Sequence, residues 1–238
     1  MPMKKLVAII CVLLVIFIGM YINKSKSTKE LLTASEVEKI EDYMSKIYMW
    51  QEVTGEALPK FKNINEAPDI WVWEVVKKNV EEYELSYDEI GQKAIELFGE
   101  QFTKQFPKEG TEYIQYDEQT QKYVITGVEL DTLDDSFYIK NINKTKNGYV
   151  AEIVEYLEDY ENALGVEDES EIYEIYIKSL NGETVATVKS NESETKTIDL
   201  IKENINQFTT KTVNLIKDKN ENIYVQSIEW DIEDKEMS

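Results

Sequence analysis

The chain of 238 residues has no histidine and no arginine, and its single cysteine, Cys11, sits inside an apolar run. Each absence closes off a class of chemistry. Without His there is no Ser-His-Asp triad, no Cys-His dyad and no His-ligated zinc centre. Without Arg there is no planar guanidinium fork to clamp a phosphate or carboxylate at two points. Cys11 lacks the electropositive, partly exposed surroundings that make a thiolate nucleophile. Cations are also few: 26 lysines face 47 Asp and Glu, a formal charge of −21. From residue 23 onward the chain holds 24 of those lysines and all 47 acids. Such a potential repels nucleic acid and anionic headgroups, and the sequence offers no compensating basic patch. Nucleic-acid partners are therefore excluded. Much of the charge serves solubility. The abundance of Lys, Asn, Ile, Tyr and Glu beside missing Arg and His also matches the codon bias of an AT-rich genome.

What is present begins with the run from Leu6 to Ile22, seventeen residues without a charge. As a helix it spans about 26 Å, the short end of what crosses a bilayer. Lys4 and Lys5 precede it, as in the charged start of an export signal. Gly19-Met20-Tyr21 is a poor cleavage site, and Ile10 before Cys11 does not suit lipid attachment. The run predicts an uncleaved signal anchor that binds the chain to the membrane. Lysines on its two sides nearly balance, Lys4 and Lys5 against Lys24, Lys26 and Lys29. Long domains translocate largely regardless of charge, so the remainder is expected outside the cytoplasm. The expected organisation is a cytoplasmic n-region (1–5), a transmembrane signal anchor (6–22) and a linker (23–33). An extracytoplasmic α+β domain (34–231) and a polar tail (232–238) complete it.

Within the domain the periodicity changes once. Residues 34–108 read as helical and 111–231 as mainly β. Ser35 with Glu38 has the pattern of a capping box, followed by Val37, Ile40, Met44 and Ile47 at helical spacing. A second helix is expected from Pro68-Asp69, with Ile70, Trp73, Val76, Val80 and Tyr83 on one face. Ser86 with Glu89 is another capping box, opening a helix through Ile90, Ala94, Leu97 and Phe98. Phe98, Phe102 and Phe106 extend that spacing past Gly99, to a stop at Pro107 and Gly110. Strands are then expected around Tyr113–Tyr116, Lys122–Thr126 and Phe137–Ile139. Asn147-Gly148 and Asn181-Gly182 are strong hairpin signals. A last hairpin turns at Lys219-Asn220, joining 209–216 to 223–230. Ile198, Ile201, Ile205 and Phe208 suit one short helix. Val150, Ile153, Val154, Leu157 and Leu164 fit a helical stripe as well as a strand. The hairpin partner directly upstream favours a strand over Tyr149 to Leu157.

The fold class is thus α+β: an N-terminal transmembrane helix, two or three helices, and a mainly antiparallel sheet. Helices first and a meandering sheet after them resembles the nuclear-transport-factor-like cone. An anchor followed by such a domain resembles scaffold subunits of type IV secretion machines. More broadly, the chain is similar to signal-anchored exoproteins of low-GC Gram-positive bacteria. None of these resemblances carries a functional residue across.

Four constellations bear on chemistry. Asp218, Asn220, Asn222 and Glu229 sit at EF-hand ligand positions, but the sixth position needs Gly and is Ile223, which favours a plain hairpin turn. Between Lys146 and Lys178 there are acids and no cation, among them Glu152, Glu155, Glu158, Asp159 and Glu174. There Glu167, Asp168 and Glu169, just after Gly165, are the candidate ligands for a weakly bound Ca²⁺, against the simpler reading of a solvated acidic loop. Asp131, Asp134 and Asp135 form a sparser cluster. Trp50, Trp71 and Trp73 are candidates for stacking on sugar rings. Trp73 falls on the expected buried stripe, while Trp71 is displaced from it and is the better exposed candidate. No catalytic residue can be singled out, although carboxylates alone suffice for glycoside hydrolysis. The expected function is a membrane-tethered extracytoplasmic binding or assembly module with a protein or cell-wall partner. The alternatives are a carboxylate-based cell-wall glycan hydrolase and a cation-dependent structural domain.

Overall fold

The structure is a computed structural model that describes residues 32–49, 57–80, 84–106, 114–125, 133–160 and 172–230. The chain divides into two units, Met1–Leu32 and Thr33–Ser238, and nearly all the described residues belong to the second. The expected anchor at 6–22, the n-region, residues 23–31 of the linker and the tail at 232–238 lie outside the described residues. No helix among the described residues is long and apolar enough to cross a membrane.

The domain is α+β with antiparallel sheets. Helix α1 (Ala34–Ile47) starts at Thr33, not at the expected Ser35. Both residues precede a Glu by three, so local pattern does not separate them. Tertiary partners do, because Glu36 also accepts from the Tyr149 hydroxyl at 2.9 Å and pairs with Lys144 at 3.1 Å. Its carboxylate accepts from the Thr33 amide at 2.9 Å, and Thr33 Oγ1 accepts from the Glu36 amide at 3.2 Å. Ile40, Tyr43, Met44 and Ile47 form the buried stripe.

Helix α2 (Asp69–Lys78) starts after Pro68, as expected, but it is not one-sided. Every residue from Trp71 to Val76 is buried, which marks a helix covered all round. This corrects the expectation for Trp71. Its side chain is fully buried, its Nε1 donates to the Ala57 carbonyl at 2.8 Å, and its ring packs on Phe61 and Phe98. Trp73 is buried as expected, against Phe102 and Phe106.

Helix α3 (Tyr87–Phe98) has the expected Ser86–Glu89 capping box. It stops at Phe98, whereas the spacing of Phe102 and Phe106 suggests continuation. Gly99 takes φ +84°, a left-handed conformation that ends the helix, and both phenylalanines reach the core from a non-helical segment. A Cβ at Gly99 would meet the Tyr224 ring at 3.0 Å. Gly99→Ala is therefore expected to cost about 1–2 kcal/mol from backbone strain and crowding. The measurement is the midpoint of urea unfolding; an unchanged or raised midpoint would contradict this explanation of the helix stop.

Strands β1 (Glu84–Ser86), β2 (Ile114–Asp117) and β3 (Lys122–Ile125) form a small sheet in the order β1-β3-β2. The three-residue β1 has no signal of its own in the sequence. The larger sheet holds β4 (Leu133–Lys144), β5 (Gly148–Asp159), β6 (Glu174–Lys178), β7 (Thr184–Lys189), β8 (Thr209–Lys217) and β9 (Ile223–Glu229). All three expected hairpins form: β4–β5 at Asn147-Gly148, β6–β7 at Asn181-Gly182, and β8–β9 around Asn220. The segment that fits both periods is strand β5. In the β8–β9 turn the Asp218 carboxylate accepts from the amides of Asn220 and Asn222, and Ile223 enters β9, so the hairpin reading of this motif holds. Before β8 the expected helix is present in part: α4 (Glu194–Glu203) carries Ile198 and Ile201, while Ile205 lies in a separate 3₁₀ turn (Ile205–Gln207) and Phe208 follows in extended conformation.

β5 is the central strand. One of its edges carries β4 along almost its whole length. The other is shared: β8 pairs with Gly148–Glu155, and β6 pairs with Leu157–Asp159. The sheet therefore forks at Tyr156. Side chains alternate between the two faces. Odd-numbered residues of β5, from Tyr149 to Asp159, are all buried on the side of α1. On the even face, Val154 and Tyr156 pack with Ile201 of α4 and with Phe208. The even face below Val154 is not covered by α4, and a groove opens there.

Candidate functional site: a groove at the strand fork

The fork brings together pieces distant in sequence. Thr210 stands opposite Val154 and Thr212 opposite Glu152, while Glu229 stands opposite Thr212. Residues paired across a ladder share a face, so Thr210, Thr212, Glu152 and Glu229 lie in one surface. Lys140 of β4 reaches the same row, 3.9 Å from Glu152. Phe61 forms a two-bond bridge with Ile228, each bond 3.0 Å, on the far edge of β9. That bridge puts Phe61 in the core and turns its neighbours Lys60 and Lys62 toward the Glu229 face. Lys60 donates to the Trp230 carbonyl at 3.0 Å.

Lys60, Phe61, Lys62, Lys140, Thr210, Thr212, Ile228 and Glu229 border a groove of about 1660 Å³, and Glu152 does not. Its floor is Thr209, Thr210 and Thr212. One wall is the 3₁₀ turn with Ile205, Asn206, Gln207 and Phe208; another is the β6–β7 turn with Ser179, Leu180 and Asn181. Lys60, Lys62, Glu66, Lys140, Glu229 and Trp230 complete the rim. Seven of these side chains are hydroxyls or amides, of which Ser179 is buried and donates to Asn181 within its turn, and Gln207 donates to Asn204. The charged ones are of both signs, three Lys against two Glu.

A buried ion pair lies under the floor. Lys211, between Thr210 and Thr212, points to the opposite face, and its Nζ lies 2.6 Å from Glu155 Oε2. Both side chains are essentially inaccessible, 1% and 0% exposed. Nζ also donates to the Leu58 carbonyl at 2.7 Å and lies 4.4 Å from the centre of the Trp230 ring. This single ammonium ties the 57–61 segment, β5 and the end of β9 to β8. The groove thus has a rigid base.

The candidate ligands Glu167, Asp168 and Glu169 lie outside the described residues, as do Trp50 and Asp131. Asp134 and Asp135 fall in β4. Among the described residues no group of three acids or other ligand types is placed to hold a metal ion. The acids around them are not isolated from cations as the sequence suggests. Glu155 faces Lys211, Asp159 pairs with Lys178, and Glu152 lies near Lys140. The compensating lysines come from neighbouring strands. Trp230, which periodicity does not single out, is the tryptophan on the groove.

Away from the groove, the Glu36 carboxylate is held well below its ordinary value. Its value falls from 4.5 to about 2, first because the Thr33 amide donates to it, then through Tyr149 and Lys144. A depressed carboxylate stabilises the fold above its unfolded value and loses that contribution as pH falls through the folded one. The window is therefore from about 4.5 down to about 2. Glu36 keeps 19% of its side chain exposed, so after solvent screening we expect about 1–2 kcal/mol. Glu36→Gln should lower unfolding stability by this amount at neutral pH, with the two proteins converging as pH approaches 2. A gap of constant size at every pH, read by urea unfolding, would contradict the assignment.

No protein-family model, no curated protein and no solved structure matches this chain.

Proposed function

We infer that the protein is a membrane-tethered extracytoplasmic binding module and that the groove at the strand fork is its binding surface. The observation that carries this reading is the groove itself. It is a wide polar concavity on a sheet face, built from five separate chain segments over a buried ion pair. Concave sites with a few convergent polar groups are where ligands bind, and a site on rigid elements holds its geometry. The tether rests on the apolar run at 6–22. The helices-then-sheet order supports an assembly domain of the nuclear-transport-factor-like kind as its scaffold.

The hydrolase reading has less support. Two carboxylates, Glu66 and Glu229, do border the groove, but both are exposed. A glycosidase's general acid is kept protonated by an apolar setting, and Glu66 instead accepts a hydrogen bond from Asn63. The cation-dependent reading rests on acids without partners, and several of them have lysines across the sheet.

The test is sedimentation with insoluble envelope material after detergent extraction of native membranes. The full chain should sediment, and Thr210→Trp with Thr212→Trp, which fills the groove, should leave it in the supernatant. Equal sedimentation of both would show that the groove is not the binding surface.

A further inference from the structure

We propose that the groove takes an uncharged glycan chain bearing hydroxyl and acetamido groups. The inference rests on the binding-module reading and names its ligand class. Three observations lead to it. The first is size and form: about 1660 Å³, open along the sheet face, exceeds the roughly 300–1,000 Å³ of a small-molecule pocket and suits several linked rings. The second is the character of the lining. Thr210, Thr212, Asn206 and Gln207 all both donate and accept, while the buried Ser179 hydroxyl and the Asn181 side-chain oxygen are engaged within the β6–β7 turn. Such a surface is matched by ligand groups that also do both, which sugar hydroxyls and acetamides are. A phosphate or carboxylate polymer offers acceptors and would leave the lining's acceptors unmatched.

The third observation is charge. Three lysines and two glutamates border the groove, so the charged lining nearly balances. The chain around it carries −21, which repels polyanions from a distance. A cationic polymer would meet Lys60, Lys62 and Lys140 at the rim. A neutral chain meets neither obstacle. Trp230, half-buried, borders the groove with its ring held against the Lys211 ammonium at 4.4 Å.

The experiment uses the full chain in detergent micelles, titrated by calorimetry and by saturation-transfer NMR. The probes are chitohexaose as the neutral acetamido sugar, maltohexaose as the neutral sugar without acetamide, hexagalacturonate as the acidic sugar, and an acidic hexapeptide. Chitohexaose should bind, with maltohexaose weaker and hexagalacturonate at least tenfold weaker at low salt. Thr212→Trp should weaken chitohexaose at least tenfold. Because that variant changes a strand, Asn206→Ala, at an exposed position of the 3₁₀ turn, provides the second test and should weaken binding about threefold or more. Absence of chitohexaose binding, tighter hexagalacturonate or peptide binding, or unchanged affinity in both variants would each overturn the proposal. If groove-dependent sedimentation persists while no glycan binds, the module reading stands and only the ligand class falls. Shortening of chitohexaose during the titration would leave the ligand class standing and overturn the binding-module reading in favour of a hydrolase.

Discussion

Changing Lys211 to Met is expected to destabilise the domain by about 3–5 kcal/mol, the usual cost of removing one partner from a buried ion pair. Its ammonium serves Glu155 at 2.6 Å and the Leu58 carbonyl at 2.7 Å, with both charged side chains out of water. The Met variant keeps the stem's packing but strands a carboxylate and a carbonyl in the core. Against the roughly 5–15 kcal/mol by which domains are stable, that is a large fraction. The double change Lys211→Met with Glu155→Leu should recover most of the loss, since desolvation of both charges disappears with them. The Leu58 carbonyl would still lack its donor, at about 1–3 kcal/mol. Urea unfolding of the full chain, followed by circular dichroism, reads all three. A Met variant within about 1 kcal/mol of wild type would mean the pair behaves as a surface bridge.

Trp71→Ala is the second large effect, at about 3–5 kcal/mol for a fully buried aromatic. The ring is 0% exposed and packs on Phe61 and Phe98, at 5.5 and 5.8 Å between centroids. Trp71→Phe keeps part of that packing, removes the donor to the Ala57 carbonyl and leaves a small cavity where the second ring was; the lost donor alone should cost about 1–3 kcal/mol. The difference between the two variants separates packing from hydrogen bonding. Equal losses would mean that the indole ring contributes no packing beyond its hydrogen bond. Because Ala57 begins the segment that leads through Lys60 to Lys62, both variants also loosen one rim of the groove.

What is legible in the sequence is local. Capping at Ser86 depends on residues three apart. The hairpins at Asn147-Gly148 and Asn181-Gly182 depend on turn residues whose geometry selects itself. β5 fits two periods, and its adjacent hairpin partner decides between them. What is not legible depends on tertiary contacts. Thr33 and Ser35 have equal claims to cap α1 until Tyr149 and Lys144 engage Glu36. Trp71 is off the expected stripe because a stripe presumes one covered face, and α2 is covered all round. Phe102 and Phe106 keep helical spacing, yet Gly99 turns the chain before them. The groove arises where β6 and β8, with β7 and α4 between them, share one edge of β5. No spacing within a segment encodes that fork. The same holds for the acids of β5, whose lysines arrive from β4, β6 and β8.

Position-specific photocrosslinking of the full chain in its native membrane decides whether the groove is the binding surface. A photoreactive side chain would be placed singly at Thr210, Thr212 and Asn206 in the groove. Controls would carry it at Lys219 in the β8–β9 turn and at Gln119 in the β2–β3 turn, both exposed. Adducts to an envelope component are expected at all three groove positions and at neither control. They should be lost when Thr210 or Thr212 elsewhere in the groove is changed to Trp. Adducts confined to the control turns, or equal yields at all five positions, would contradict the assignment of the groove.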